Sequence, residues 1–314
     1  MMRYWSSFSA VAFVVVTAGS PAFAQVTMQR KHIEGTSTSF ERTFLLNQTL
    51  TIAGMEFKTT VDAGETRTVA AGKWNADGII PLTTKTDSSR LVLTIPGGGQ
   101  LTFDSSINAA KTDQPALEPY IDALRAIVGA SYTVLVDRKE QVTGVEGVQA
   151  IVDRAPAKAA EALKQQLSTE TIKREYQEAA EALPSKAVAP GDSWVQTVTL
   201  DLGAGQLMKV ERRYEYKGTV ERNGRQLDEI ATTDQRIVSF EIAGSDEFPA
   251  KVASSELAPA DDSKGMSYFD RELGDDVETQ QRLHVKGKLT LTIQGMDLPS
   301  ELDLTIDSQT KIKK

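Results

Sequence analysis

The sequence predicts an α+β protein that is mostly antiparallel β: a curved sheet or sheets, or open half-barrels, with two helical stretches packed against them. Three observations carry this. Most segments alternate apolar and polar residues with a period of two. Glycine-rich turn signals separate them. Two stretches instead place apolar residues at helical spacing.

The alternation is plain in several places. Met208, Val210, Arg212, Tyr214 and Tyr216 alternate with Lys209, Glu211, Arg213, Glu215 and Lys217. Leu289, Leu291 and Ile293 alternate with Thr290, Thr292 and Gln294, and Leu302, Leu304 and Ile306 with Asp303, Thr305 and Asp307; Leu91, Leu93 and Ile95 repeat the pattern. One dry and one wet face is the antiparallel signature, because parallel strands covered on both faces read as continuous apolar runs. Asn223-Gly224 lies between two such runs, where a two-residue hairpin needs positive φ at both positions. Pro96-Gly97-Gly98-Gly99 is followed by a strand-like segment, so it reads as a hairpin and not as a phosphate cradle, which needs a helix N-terminus.

The helical stretches come next. Residues 115–129 carry Leu117, Ile121, Leu124 and Val128, with Gly129 as the stop. Residues 156–183 are rich in Ala, Glu, Lys and Gln; Ser168 is a candidate N-cap, followed by Ile172, Tyr176, Ala179 and Leu183 before Pro184. These stripes are expected to face a core.

Residues 1–24 form a leader. Arg3 supplies a positive start, Phe8 to Ala18 is an apolar run too short to span a bilayer, Pro21 breaks it, and Ala22-Phe23-Ala24 is a small-x-small cleavage site before Gln25. Export is therefore expected, to the periplasm or beyond the cell, with no membrane span in the mature protein. The remainder divides into a β-rich half over 25–150, a helical connector over 151–189 and a second β-rich half over 190–314. Leu50 to Phe57 parallels Leu291 to Leu298, which raises the question of duplicated lobes or of a recurring hairpin.

Composition narrows the chemistry. The chain has 314 residues, 40% hydrophobic and 25% charged, enough to bury a core without covalent staples. The net charge of −8 becomes −9 without the leader, whose only charge is Arg3. That argues against nucleic acid and anionic membrane surfaces, which attract clustered Lys and Arg. The absence of cysteine removes disulfides, thiolate metal sites and thiol nucleophiles. The two histidines, His32 and His284, are too few for most histidine-dependent metal sites. His284 falls on the wet side of an alternating strand with Lys286, and His32 sits in a polar N-terminal stretch expected to be disordered. Asp261-Asp262-Ser263-Lys264-Gly265 lacks the alternating acidic ligands and distal Glu of a calcium loop and reads as a solvated loop; Asp275-Asp276 reads as a turn. No metal and no cofactor are expected.

The most distinctive segment is Leu183-Pro184-Ser185-Lys186-Ala187-Val188-Ala189-Pro190-Gly191-Asp192-Ser193-Trp194: a helix stop, an extended link, a turn and a strand start. Asp192 is expected to bond backbone two residues on, and Trp194 to plug one end of the sheet. This LP-x-x-x-V-x-x-GDSW run resembles an uncharacterised group of exported bacterial proteins, domain-of-unknown-function family 6263. Tyr132 to Asp137 leading to Val142 and Gly144, and Gly265 to Asp270 leading to Gly274, fit the same resemblance, which spans most of residues 40–314. Many relatives are lipoproteins; this chain lacks the cysteine that tethering requires. The resemblance supports the fold division and implies no activity.

A curved sheet partly covered by helices leaves an apolar groove. The expected function is therefore non-enzymatic: an exported protein binding a lipid or other hydrophobic molecule, with Trp194, Tyr214, Tyr216, Tyr268 and Phe269 as the groove lining. The alternative is a structural or protein-interaction module of the cell envelope with no small ligand. A hydrolase using an Asp/Glu pair assembled by the fold is a third reading.

Overall fold

The computed structural model describes residues 25–203, 205–242 and 250–313. The leader read over 1–24 lies outside the described residues.

Among the described residues the chain forms one 14-stranded antiparallel sheet, curved and unclosed, with four short helices. The long strands β1 (Ser37–Ile52), β2 (Met55–Ala71) and β3 (Ile79–Thr94) meander into the short strands β4 (Gln100–Asp104) and β5 (Ala109–Thr112). Helix α1 (Glu118–Ile127) leads to the hairpin of β6 (Ser131–Asp137) and β7 (Val142–Glu146). Helices α2 (Val148–Val152), α3 (Ala157–Gln166) and α4 (Thr169–Glu181) follow. The second half holds β8 (Ser193–Gly203), β9 (Gln206–Arg222), β10 (Arg225–Ile242), β11 (Ala250–Pro259), β12 (Lys264–Asp270), β13 (Asp275–Ile293) and β14 (Met296–Ile312). The sheet runs β5-β4-β3-β2-β1-β14-β13-β12-β10-β9-β8. The two β-rich halves thus share one sheet, joined where β1 pairs β14 along thirteen registered positions from Phe40↔Ile312 to Ile52↔Ser300.

Strands account for 61% of the structure, so the fold is mainly β and the α+β expectation holds only loosely. The reason is strand length: β1, β2, β3, β9, β10, β13 and β14 each run 16 to 19 residues, far beyond the usual five or six. Twist accumulates along strands this long and curls the sheet. In β13, Gly287 (φ +154) lets β11 approach closely, for a Cβ there would fall on the Glu256 carbonyl oxygen.

The alternation sorts as read. Met208, Val210, Tyr214, Tyr216, Leu289, Leu291, Leu302, Leu304 and Ile306 are buried. Together with Leu46, Phe240, Leu283 and Val285, the aliphatic ones make the main core, which brings β8, β9 and β10 against β1, β13 and β14. The sheet curls far enough that the Gln48 amide on β1 donates to Gln206 Oε1 on β9 at 2.7 Å. The opposite face is wet and charged. Arg282 bridges Asp262 and Asp307, His284 sits between Asp262 and Asp303, Lys286 pairs with Asp303, and Arg236 pairs with Glu211. Exposed pairs of this kind contribute little each, but they fix which face meets water.

The helices cover edges and gaps. Leu117 and Ile121 of the first helical stretch pack on Leu101 and Phe103 of β4. Helix α3 buries Ala159 and Leu163 against α1 and α2. Ser168 caps α4, accepting from the Thr171 N–H at 3.1 Å, and Ile172 packs on Ile80, Leu82, Val134 and Val136 of β3 and β6. On its other side α4 reaches the edge strand β8: the Glu178 carboxylate accepts from the Thr199 N–H at 3.1 Å, and Trp194 Nε1 donates to the Ala182 carbonyl at 3.0 Å. Cover of this kind blunts part of an edge against further strand pairing. No helix among the described residues is long and apolar enough to cross a membrane.

Candidate functional site

The hollow of the curved sheet is occupied by the chain's own first described residues. Residues 25–33 run extended as a strap, and alternate side chains turn inward: Val26, Met28, Arg30 and His32 are covered, whereas Thr27, Gln29 and Lys31 are exposed. This is strand periodicity in a segment that lies outside the sheet. Its first anchor is a reciprocal backbone pair, Val26 N–H to Val188 carbonyl at 2.8 Å and Val188 N–H to Val26 carbonyl at 2.9 Å. Its second is the β12–β13 turn, where the Lys31 N–H donates to the Gly274 carbonyl at 3.2 Å and Lys31 Nζ to the Arg271 carbonyl at 2.6 Å.

The strap lies on an aromatic floor. Val26 and Met28 pack with Val188, Tyr214, Tyr216, Ile230 and Phe269, and Met28 and Phe269 are 2% and 0% exposed. Trp194 flanks this cluster, stacked on Tyr214 with ring centroids 5.8 Å apart. Beneath it, the buried Asp228 accepts from the Tyr216 hydroxyl at 2.8 Å and the Thr219 hydroxyl at 2.9 Å and pairs with Arg271 at 2.8 Å. Asp270 holds the neighbouring turn, accepting from the Glu272 and Leu273 N–H groups and pairing with Arg225. Gly274 (φ +70) completes the seat, since a Cβ there would collide with Lys31. The glycine that ends one of the sequence motifs is the point where the strap passes the turn.

The charged half of the strap meets charged partners. Arg30 is held by Asp275 and by Asp276 at 2.8 Å, and also donates to the Ala179 carbonyl of α4 at 3.3 Å. Burial alone would lower the basicity of Arg30; the two aspartates outweigh it and push it up. Burial pushes the Asp276 carboxyl up, with Asp275 adding to it against the opposing pull of Arg30. His32 Nε2 lies 2.9 Å from Glu140 Oε2 and 3.0 Å from the Tyr176 hydroxyl, which itself donates to Glu140 Oε2 at 2.8 Å. Glu140 occupies the left-handed region (φ +61) in the β6–β7 turn, an uncommon conformation for a residue with a side chain. Burial pushes its carboxyl up, but the bonds and charge from His32, with help from Tyr176 and Arg30, bring it below its ordinary value.

An imidazole, a carboxylate and a phenol at these distances invite a catalytic reading. Burial and the Glu140 charge push the Tyr176 phenol up, and the three groups face one another. The arrangement is a latch tying the strap to α4 and to the β6–β7 turn. No group of three or more metal-ligating side chains occurs among the described residues.

The five candidate lining residues separate accordingly. Trp194, Tyr214, Tyr216 and Phe269 come together under the strap. Tyr268 lies outside that cluster, with the Arg222 guanidinium 3.8 Å above its ring, because neighbours in a strand face opposite sides. His32, expected in a disordered stretch, is instead fixed by Glu140 and Tyr176. Asp275-Asp276, read as a turn, opens β13 and holds Arg30. Asp192 accepts from the Ala189 N–H three residues back, the turn closing in that direction. His284 lies on the charged outer face with Lys286, as its alternation implies. Two hollows, of about 450 Å³ beside Lys111, Asp122 and Arg125 and about 530 Å³ beside Lys58, Lys286 and Lys288, carry charged residues in their linings and lie apart from the strap floor.

The class this defines is an open antiparallel sheet whose concave aromatic floor is covered by the chain's own strap and bridged by a helix. Residues 77–225 match a family of unknown function, DUF6263, the family that the Leu183–Trp194 segment resembles. The match takes in that segment and the Tyr132–Gly144 stretch; Gly265–Gly274 lies beyond it. No curated protein matches the chain. Among solved structures, it is similar to one of lipovitellin described for its lipid–protein interactions, at 8% identity and TM-score 0.43, over 90% of this chain. The chain spans only 26% of that structure's length. It is also similar to the β domain of the Bordetella autotransporter BrkA (9% identity, 88% of this chain, 98% of that one, TM-score 0.23). The translocator domain of the autotransporter NalP from Neisseria meningitidis gives 8% identity, 88% and 89% coverage and TM-score 0.20. At these scores none bears on what the chain does.

Proposed function

We propose that this is an exported, non-enzymatic interaction module of the cell envelope, whose curved sheet presents a groove for an extended peptide segment. The observation that supports it most is the chemistry of the strap seat. Every second residue of an extended segment has its own partner: an aromatic floor for Val26 and Met28, an acidic pair for Arg30, a carboxylate and a phenol for His32. Backbone bonds at Val188 and Gly274 hold the segment in line. Main-chain bonds that give affinity, with pockets for alternate side chains that give selectivity, are the physics of strand-type peptide recognition. The resident ligand is the strap itself.

The lipid reading meets an obstacle at the same place. The floor that a hydrophobic molecule would use already carries Val26 and Met28, so a lipid would have to displace the strap. The two readings separate experimentally. In the full chain, Met28→Asp places a charge on the aromatic floor and opens the groove. A fluorescent peptide of residues 25–33 is expected to bind this variant and not the parent, whose tethered strap competes at an effective concentration in roughly the millimolar range. Far-ultraviolet circular dichroism checks that the sheet is intact. A folded variant that ignores the peptide, or native protein that yields stoichiometric lipid on solvent extraction, sinks the peptide reading.

A further inference from the structure

We propose that the groove takes the strap of a second copy of this chain, giving a strap-exchanged dimer; this rests on the peptide-groove reading above and names its partner. The fit of this occupant is the one the strap already makes. The contacts of residues 25–32 described above, from the Val26–Val188 backbone pair to the Arg30 ion pairs and the His32–Glu140 contact, depend on the groove and not on which chain supplies the strap. Exchange therefore changes only the hinge and the entropy of association.

The hinge is short, and its bonds are few and local. Residues 33–36 turn the chain from strap to β1. The turn is closed by the Thr36 N–H and hydroxyl on the Ile33 carbonyl, at 3.2 and 2.7 Å, and is tied to the end of β2 by the Gly35 N–H on the Ala71 carbonyl and the Ala71 N–H on the Thr36 carbonyl, both at 2.9 Å, with the Trp74 N–H donating to Glu34 at 2.9 Å; opening it breaks these five bonds and leaves the strap contacts to be remade elsewhere. Gly35 (φ +72) supplies the one backbone position of the turn at which a wide range of φ and ψ is open. Once straightened, the nine residues of the strap reach about 30 Å from the body.

Chain order supplies the opportunity. Arg30 and its partner Asp275 are 245 residues apart in sequence, and the whole seat, from Glu140 to Asp276, follows the strap by more than a hundred residues. The strap stays unseated until β12 and β13 form. During that interval a finished groove on a neighbouring copy is chemically equivalent to its own.

The absence of cysteine makes the test direct. Val26 and Val188 face each other as a backbone-bonded antiparallel pair, close enough for a disulfide once both are replaced. Full-length Val26→Cys and Val188→Cys proteins are unfolded together, refolded and oxidised, and peptides disulfide-linked between positions 26 and 188 are sought by mass spectrometry. In this mixture such a link can form only between chains. The expected result is a linked fraction that rises about tenfold for each tenfold rise in concentration while it remains small, by mass action. Thr27→Cys mixed with Val188→Cys is the collisional control, since Thr27 faces solvent. The Val26→Cys/Val188→Cys double variant, oxidised in dilute solution, reports the strap in its own groove. If the double variant links internally while the mixture gives no more product than the Thr27 control, exchange is overturned and the groove reading survives. If the double variant does not link either, both fall.

Discussion

Met28→Ala separates the strap from the body of the protein. Met28 is 2% exposed and stands apart from the main core; its neighbours are the floor residues Tyr214, Tyr216, Ile230 and Phe269. The substitution removes three side-chain heavy atoms. At about 0.8 kcal/mol per buried methylene equivalent that is roughly 2.4 kcal/mol, and residual cavity brings the loss to about 3 kcal/mol. Because the strap lies ahead of the first long strand, this free energy belongs to a local opening and not to global unfolding. Amide hydrogen exchange reads it directly. The Val26 and Val188 N–H groups bond each other's carbonyls across the strap seat, so their protection is expected to fall roughly 100-fold. Amides of β14, in the main core, are expected to keep theirs. A Leu304→Ala control should do the reverse, lowering protection throughout, since Leu304 is fully buried among β1, β13 and β14. If Met28→Ala lowers β14 protection as much as Val26 protection, the strap is not a separable element and the reasoning fails.

Other perturbations are equally specific. Gly274→Ala is expected to unseat the strap, because the new Cβ collides with Lys31 and φ is +70; Val26 and Val188 should lose protection while Ser168→Ala, which removes only the cap of α4 at a cost of about 1 kcal/mol, leaves them nearly unchanged. Gly287→Ala is expected to cost about 3 kcal/mol or more, through contact with the Glu256 backbone at φ +154; Gly224→Ala, with open space around it, should cost about 1 kcal/mol, as thermal melts can compare. Acid should loosen the latch. The Glu140 carboxyl is lower in the fold than its ordinary 4.5, so its stabilisation is present above about pH 4.5 and disappears as pH falls through the lower folded value; Glu140→Gln should remove this part of the acid sensitivity, read as strap exchange rate against pH. Asp276 runs the opposite way: its folded value is raised, so its contribution is present below the ordinary 3.8 and is lost as pH rises through the folded value. Asp276→Asn should flatten that slope, at the expense of one bond to Arg30.

How much of this is legible in the sequence follows from range. Local rules give local structure. Asn223-Gly224 makes its hairpin with φ of 53° and 75°, and Ser168 caps α4. The paired segments Leu50–Phe57 and Leu291–Leu298 are both two-residue hairpins, at Ala53-Gly54 and Gln294-Gly295. They lie side by side because β1 pairs β14, a fact of topology that neither segment states. The strap escapes a sequence reading for a different reason. Its period of two is present in Val26, Met28, Arg30 and His32, but half of the inward positions are basic, so apolar alternation stops after two residues. The compensating charges come from residues 140, 275 and 276, and no pattern within one segment can announce a partner that distant. Tyr268 and Phe269 illustrate the converse: their strand is readable, and the same alternation that reveals it forbids both rings from lining one groove.

The distribution of charge between the two faces also bears on where a partner can act. The outer face of β13 and β14 pairs Arg282, His284 and Lys286 with Asp262, Asp303 and Asp307, so it is already satisfied across the strands and open to water. A lipid-facing barrel wall needs an apolar outer band, and those charges stand in the middle of the longest strands. The edge at β8 is partly covered by α4. The concave face differs from both: there the strap sets two apolar residues on an aromatic floor and two basic residues against carboxylates, in strict alternation. A peptide that keeps Val26 and Met28 but exchanges Arg30 and His32 for glutamate should therefore lose binding by far more than its unchanged apolar area suggests, because each glutamate would face the carboxylates of Asp275, Asp276 or Glu140. Equal affinity for the two peptides would show that the floor alone binds, and that the charged half of the seat only ties the chain to itself.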